Sequence, residues 1–201
     1  MAITPRQFEQ LQARVAGRRP APSPVLTTVA TSSASAGVVL GIDPSLRGTG
    51  YGVIQAGKPG PRALAHGTIS CPAKWEHSRC LARIAQTIRE IIQRHHPTSC
   101  AIEGLFFAQN LQTALIMGQA RGAALAVLGE AGLDVYEIAP RKIKQAIVGY
   151  GAAQKLAVAK MVQRILQLSE IPAPDAADAL AVALTHIQEC SRYTFGKAKR
   201  I

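Results

Sequence analysis

Four carboxylates stand out in this chain by where they fall. Asp43 closes the run VVLGID, and Glu103 closes SCAIE. Both segments are short, apolar and rich in β-branched residues, which reads as buried strand. In open α/β sheets, ligands bind outside the carboxyl ends of the strands. If the two strands are neighbours, both carboxylates converge at one edge. The second pair is Asp175 and Asp178 in APDAADALAVALTH. Three residues apart on a helix, they lie roughly 60° apart around the axis, on one face. They are the only charged side chains between Glu170 and Glu189, in a segment apolar nearly all round, which implies burial. Isolated carboxylates near a core are costly unless cations partner them.

Each acid also has a plainer explanation. Asp175 after Pro174 suits an N-cap, and Asp178 in the first turn suits the helix dipole. Asp43 before Pro44 suits a turn, and Glu103 suits a surface. Three of the four, however, adjoin apolar runs with no basic neighbour. Four carboxylates brought together repel one another and take up protons unless countercharge is supplied. Hard oxygen donors without His or Cys are what Mg²⁺ prefers, with Mn²⁺ as an alternative. Two such ions per site activate a water and stabilise the leaving oxygen in phosphodiester hydrolysis.

The rest of the chain is basic. Its 201 residues hold 23 Lys+Arg against 12 Asp+Glu, a formal charge of +11, which favours an anionic partner. An acidic metal pocket inside a basic chain is the pattern of a nuclease. With 48% apolar residues the length suits one domain with a real core. No stretch approaches the unbroken apolar length of a bilayer span, so no membrane association is expected. Cys71, Cys80, Cys100 and Cys190 form no CxxC pair; neither a disulfide scaffold nor a structural zinc site is expected, and a reducing cytoplasm fits.

The elements that must position the acids follow from patterning. Residues 1–36 are Pro-, Ser- and Thr-rich without period and read as a disordered basic extension, with a short helix possible over 5–16. The domain is expected over 37–189, with a basic tail over 190–201. Strands are expected at Val38–Asp43, at Gly50–Gln55 after a Gly-rich turn, at Ala65–Cys71, at Ser99–Glu103 and at Asp134–Ile138. Helices are expected at Ser78–His95, Asn110–Ala131, from Pro140, at Ala152–Leu168 and at Pro174–Ile187. This order is α/β with a mixed sheet.

GIDPS followed by GTGYGVI, AIEGLFFAQN, GQARGAAL and DAADALAVALTH resembles, in order and spacing, the RuvC family of crossover junction endodeoxyribonucleases. The similarity spans about Val38 to Gln188. It implies a ribonuclease-H-like fold, a five-stranded mixed sheet flanked by helices. It implies a homodimer that resolves four-way DNA junctions by paired nicks in recombination and repair, beside a branch-migration motor of RuvA and RuvB type. Asp43, Glu103, Asp175 and Asp178 would be the catalytic metal ligands. Residues 1–36 have no counterpart in the family.

The same resemblance points to Phe106 as a residue stacking on a base at the opened crossover, in line with aromatic stacking on unpaired bases; the plainer reading of Phe106 and Phe107 is a pair of which one anchors a loop to the core. Arg141, Lys142 and Lys144 cluster after Pro140, and Lys155 opens the next helix. Cations beside an acidic pocket suit phosphate positioning, and the family implies phosphate contacts at Lys144 and Lys155. Arg121 either does the same or pairs with an acid. His186 reads as a helix-face residue rather than a ligand. The small residues Ala114, Gly118, Gly122, Ala123 and Ala126, with Leu115, Leu125 and Leu128, make the 110–131 helix the candidate dimer interface.

Three other readings remain. The Gly41–Gly52 segment resembles the phosphate loop of actin-like ATPases and sugar kinases, but those need two such domains and leave DAADALA unexplained. A non-catalytic DNA-binding module on the same fold would be marked by loss of a carboxylate, and none is lost. A related enzyme acting on RNA precursors would need neither the dimer nor Phe106.

Overall fold

The structure is a computed structural model that describes residues 37–105, 110–191 and 199–201. The expected extension over 1–36 and both Phe106 and Phe107 lie outside the described residues. The elements in chain order are β1 (Val38–Asp43), β2 (Gly48–Gln55), β3 (Arg62–Ser70), α1 (His77–His95), β4 (Ser99–Glu103), α2 (Leu111–Glu130), β5 (Asp134–Ile138), α3 (Pro140–Val148), α4 (Lys155–Leu166), α5 (Pro174–Ser191) and β6 (Lys199–Arg200).

One mixed sheet runs in the order β3-β2-β1-β4-β5-β6. The chain enters as an antiparallel meander, β1 to β3, and then crosses over through α1 to lay β4 parallel to β1. Crossover through α2 adds β5, again parallel. The sheet has six strands rather than five. Lys199 and Arg200, expected within a tail, pair antiparallel with Glu137 and Tyr136, and Arg200 forms an ion pair with Asp134. Without this short strand β5 would present an open edge.

Alternation along the strands divides the core between two faces. Leu40, Ile42, Cys100 and Ile102 point to the side of α1 and α2, with Ile84, Ile88, Ala124 and Leu128. Val39, Ala101 and Ile138 point to the other side, under α3, α4 and α5. Asp43 follows Val39 and Gly41 at a spacing of two, and Glu103 follows Ala101. A period of two therefore turns both acids toward α5.

The approach of α5 to the sheet depends on missing side chains. A Cβ on Gly41 would overlap the Ala179 carbonyl oxygen, and one on Gly50 the Asp175 carbonyl oxygen. A Cβ on Gly52 would sit 2.7 Å from Leu180 Cδ2. The helix answers with its own small residues, Ala176, Ala179 and Ala183, all buried. Glycine here removes side-chain volume between backbone layers. The Gly-rich stretch expected to be a turn is thus largely strand, from Gly48 onward.

Helix α1 buries Cys80, Ile84, Ile88 and Ile91 and ends at His96, whose φ of 47° is left-handed, just before Pro97. Helix α2 differs from expectation. An 18-residue window of its 20 residues has a mean hydropathy of 1.2, long and apolar enough by composition to cross a membrane, yet only 28% of that window is buried. The exposed part is a stripe: Leu111, Leu115, Gly118, Gly122 and Ala126 share one face. Leu128 is not on it; it is fully buried in the core.

Candidate active site

The four predicted carboxylates come from three elements. The parallel register that sets Ile42 beside Ile102 sets Asp43 beside Glu103 at the ends of adjacent strands. The first turns of α5 bring Asp175 and Asp178 over them. Asp175 lies inside the first turn of α5, which begins at Pro174, so it is not the N-cap residue. Its carboxylate packs over Gly48, where a Cβ would approach Asp175 Oδ2 to 2.8 Å. All four acids line one open cleft of about 690 Å³.

The cluster is short of positive charge. Glu103 donates a hydrogen bond to Asp43, and burial, Asp43's charge and that bond push Glu103 up to about 8. Burial raises Asp43 as well, aided by Asp178 and opposed by the bond from Glu103. Near neutrality the two buried carboxyls therefore hold a proton between them. Lys155, first residue of α4, donates from Nζ to Asp178 Oδ2 at 2.7 Å, and that bond raises the lysine further above its usual range. As the side chains stand, no three His, Cys, Asp or Glu groups among the described residues close around one point. The donor set nonetheless suits a hard divalent cation, being all carboxylate. The shared proton and the Lys155 ammonium stand where cationic charge is needed.

Arg141, Lys144 and Lys155 rim the same cleft, presented by α3 and α4. Lys142 is turned away from it and bonds Glu189 at 2.6 Å. Arg121 belongs elsewhere. It is buried, donates to the Glu103 carbonyl oxygen at 2.7 Å and pairs with Glu137, so it takes the alternative of pairing with an acid rather than reaching phosphate. From there it holds the end of β4 that carries Glu103. His186 is buried against Tyr136, ring centroids 4.5 Å apart, and stands in the core rather than in the cleft.

Two residues, Ser45 in the β1–β2 connection and Thr49 at the start of β2, were not foreseen. Ser45 lines the cleft beside Asp43. Thr49 is fully buried and its hydroxyl bonds the Ser45 backbone, accepting from the N–H at 3.2 Å and donating to the carbonyl. A Ser and a Thr four apart around a Gly are the available signal, too common to single out alone.

Carboxylates at the ends of a parallel strand pair, completed from a helix laid across a β-meander, define a nuclease of ribonuclease-H-like fold. The chain belongs to the family described as Crossover junction endodeoxyribonuclease RuvC, which matches residues 39–186. Family members from Akkermansia muciniphila and Chromohalobacter salexigens are 44% and 47% identical to it over 149 and 156 residues. Those alignments cover 74% and 78% of this chain and 89% and 83% of the relatives. The solved structure of T. thermophilus RuvC in complex with Holliday junction substrate superposes with a TM-score of 0.74 at 38% identity, covering 82% of this chain and 99% of that one.

Proposed function

We propose that this chain binds four-way DNA junctions as a homodimer and resolves them by paired symmetric nicks, in recombination and repair in the bacterial cytoplasm. The observation that carries the reading is the meeting of Asp43, Glu103, Asp175 and Asp178 in a cleft rimmed by Arg141, Lys144 and Lys155. The acids would hold two divalent ions, Mg²⁺ or in its place Mn²⁺. When bound, such ions supply Lewis-acid charge for activating water and stabilising the leaving oxygen. The protein's own part is placement. The rim cations seat the phosphates on either side of the scissile bond, a contact independent of base sequence. Lys155 also neutralises Asp178 until the site is loaded. The buried Asp43–Glu103 pair gives up its shared proton as cationic charge arrives. Phe106, three residues after Glu103 in the sequence, stacks on a base at the crossover.

Dimerisation has its own support in the exposed stripe of α2. Leu111 and Leu115 are 77% and 59% exposed, and a Cβ at Gly118 or Gly122 meets nothing within 4 Å. An apolar stripe with a flat, small-residue centre suits a second copy of the same helix, and a C2 pair places two sites on a substrate that is itself nearly two-fold. Supply of junctions by a branch-migration motor of RuvA and RuvB type belongs to the same reading. The deciding experiment incubates purified protein with a synthetic four-way junction and with a matched linear duplex, each with Mg²⁺, and maps the products. Paired nicks on opposed strands of the junction, with the duplex intact, are expected. Equal cleavage of the duplex, or cleavage without divalent cation, refutes the reading.

A further inference from the structure

Away from the cleft, two thiols meet around an arginine. Cys71 follows β3, and Cys80 lies in the first turn of α1, with eight residues between them. Both are buried and free. The two thiols are hydrogen-bonded neighbours, and the Cys71 Sγ lies 4.0 Å from the Cys80 carbonyl oxygen. Arg47, from the β1–β2 connection, threads into the loop they bound. Its Nη1 donates to the carbonyls of Pro72 at 2.7 Å and Trp75 at 2.9 Å, and to Cys80 Sγ at 3.1 Å. The Arg47 carbonyl in turn accepts from the Cys71 N–H at 3.0 Å.

We propose that Cys71 and Cys80 are a modification site: a reversible intrachain disulfide formed by hydrogen peroxide. The geometry carries the pairing: the thiols are in hydrogen-bond contact, and the Arg47 guanidinium against Cys80 Sγ offsets negative charge that develops on sulfur, opposing the burial that raises the Cys71 thiol. Cys71, at 5% exposure, is the more accessible of the two, since Cys80 is at 0%. Peroxide oxygen transfers to the Cys71 sulfur, giving sulfenic acid, while the O–O bond breaks and water leaves. The Cys80 sulfur then attacks that sulfur and gives up its proton. The S–S bond forms, the S–O bond breaks, and the departing hydroxide takes a proton to leave as a second water. Two thiols and one peroxide thus become one disulfide and two waters. A dithiol reductant reverses the change by exchange.

The loop closed in this way surrounds the Arg47 guanidinium, which stays bonded to Pro72 and Trp75. Oxidation therefore clamps the β1–β2 connection at Arg47, two residues beyond the Ser45 that lines the cleft. The four cysteines test this within one sample. Folded full-length protein is treated with hydrogen peroxide, its remaining thiols are alkylated, and it is digested with trypsin. The expected product is peptide 63–74 linked to peptide 80–83, about 2 Da lighter than the two together, with the link lost on reduction. The melting temperature of the oxidised chain is expected to rise by roughly 5–10 °C, because the unfolded state loses loop entropy. Cys190, exposed on α5, reports that oxidant reached the protein. Oxidation of Cys190 with Cys71 and Cys80 both still alkylated overturns the proposal. So does Cys71 sulfinic acid without the link, or a link made elsewhere.

Discussion

Loading of the proposed metal site should release a proton, and the structure sets its size. In the metal-free cleft Glu103 is pushed up to about 8 by burial, by Asp43's charge and by the bond between them. At pH 7 the carboxyl is then roughly nine-tenths protonated, and a cation bound there must displace that proton. Apparent Mg²⁺ affinity should fall tenfold, ~1.4 kcal/mol, for each pH unit below 8 and level off above it. Between pH 8 and pH 6 the loss is about fiftyfold. Calorimetry of Mg²⁺ binding at pH 7, in two buffers of different ionisation heat, counts the protons directly. Close to one proton per site is expected, and Glu103→Gln should remove most of it, because the amide has no titrating proton to release. The same shift has a stability consequence whose sign is fixed. A carboxyl whose folded value lies above its unfolded one stabilises the fold at low pH, and that contribution is lost as pH rises toward about 8. The metal-free protein should therefore melt at lower temperature at pH 8.5 than at pH 6, and Mg²⁺ should restore the difference. Mg²⁺ affinity flat from pH 6 to 8, with no proton released, would refute the claim that these carboxyls lack countercharge.

Asp43→Asn keeps the shape of a ligand and removes its charge. Cleavage of a four-way junction should drop by at least about a thousandfold, while junction affinity measured in Ca²⁺ stays within about threefold, since binding rests on the rim cations. Gly50→Ala puts a methyl into the Asp175 carbonyl and should cost more than about 3 kcal/mol, read as a lowered denaturation midpoint or loss of soluble protein. Gly122→Glu, in the open face of α2, should leave the melting temperature of the monomer nearly unchanged and shift sedimentation from dimer to monomer. A dimeric, normally cutting Gly122→Glu variant would move the interface off this stripe.

Much of the site was legible in the sequence, because a strand that ends in an acid and a helix with a lone acidic pair are local patterns. Asp43, Glu103, Asp175 and Asp178 could each be singled out from their immediate neighbours, and the motifs in their order pointed to the fold. Whether β1 and β4 lie side by side, and so whether Asp43 meets Glu103, is a matter of strand order, which no run of residues states. The glycines show the same boundary. Gly41, Gly50 and Gly52 read as turn or strand filler until α5 is laid across them, and only then does each prove to be room for a helix backbone. Arg121 looked available for phosphate, yet Glu137 on β5 and the Glu103 carbonyl on β4 claim it. Leu128 and Leu115 have the same chemistry on the same helix, one sealed in the core and one in the open. Residues 199–200 took on strand structure because β5 had an edge to offer. Sequence reports what each residue is and the period at which it recurs. What opposes it across a gap, and so whether its charge is paired or its volume tolerated, is decided by segments far away in the chain, through short-range forces that act only after the fold has closed that distance.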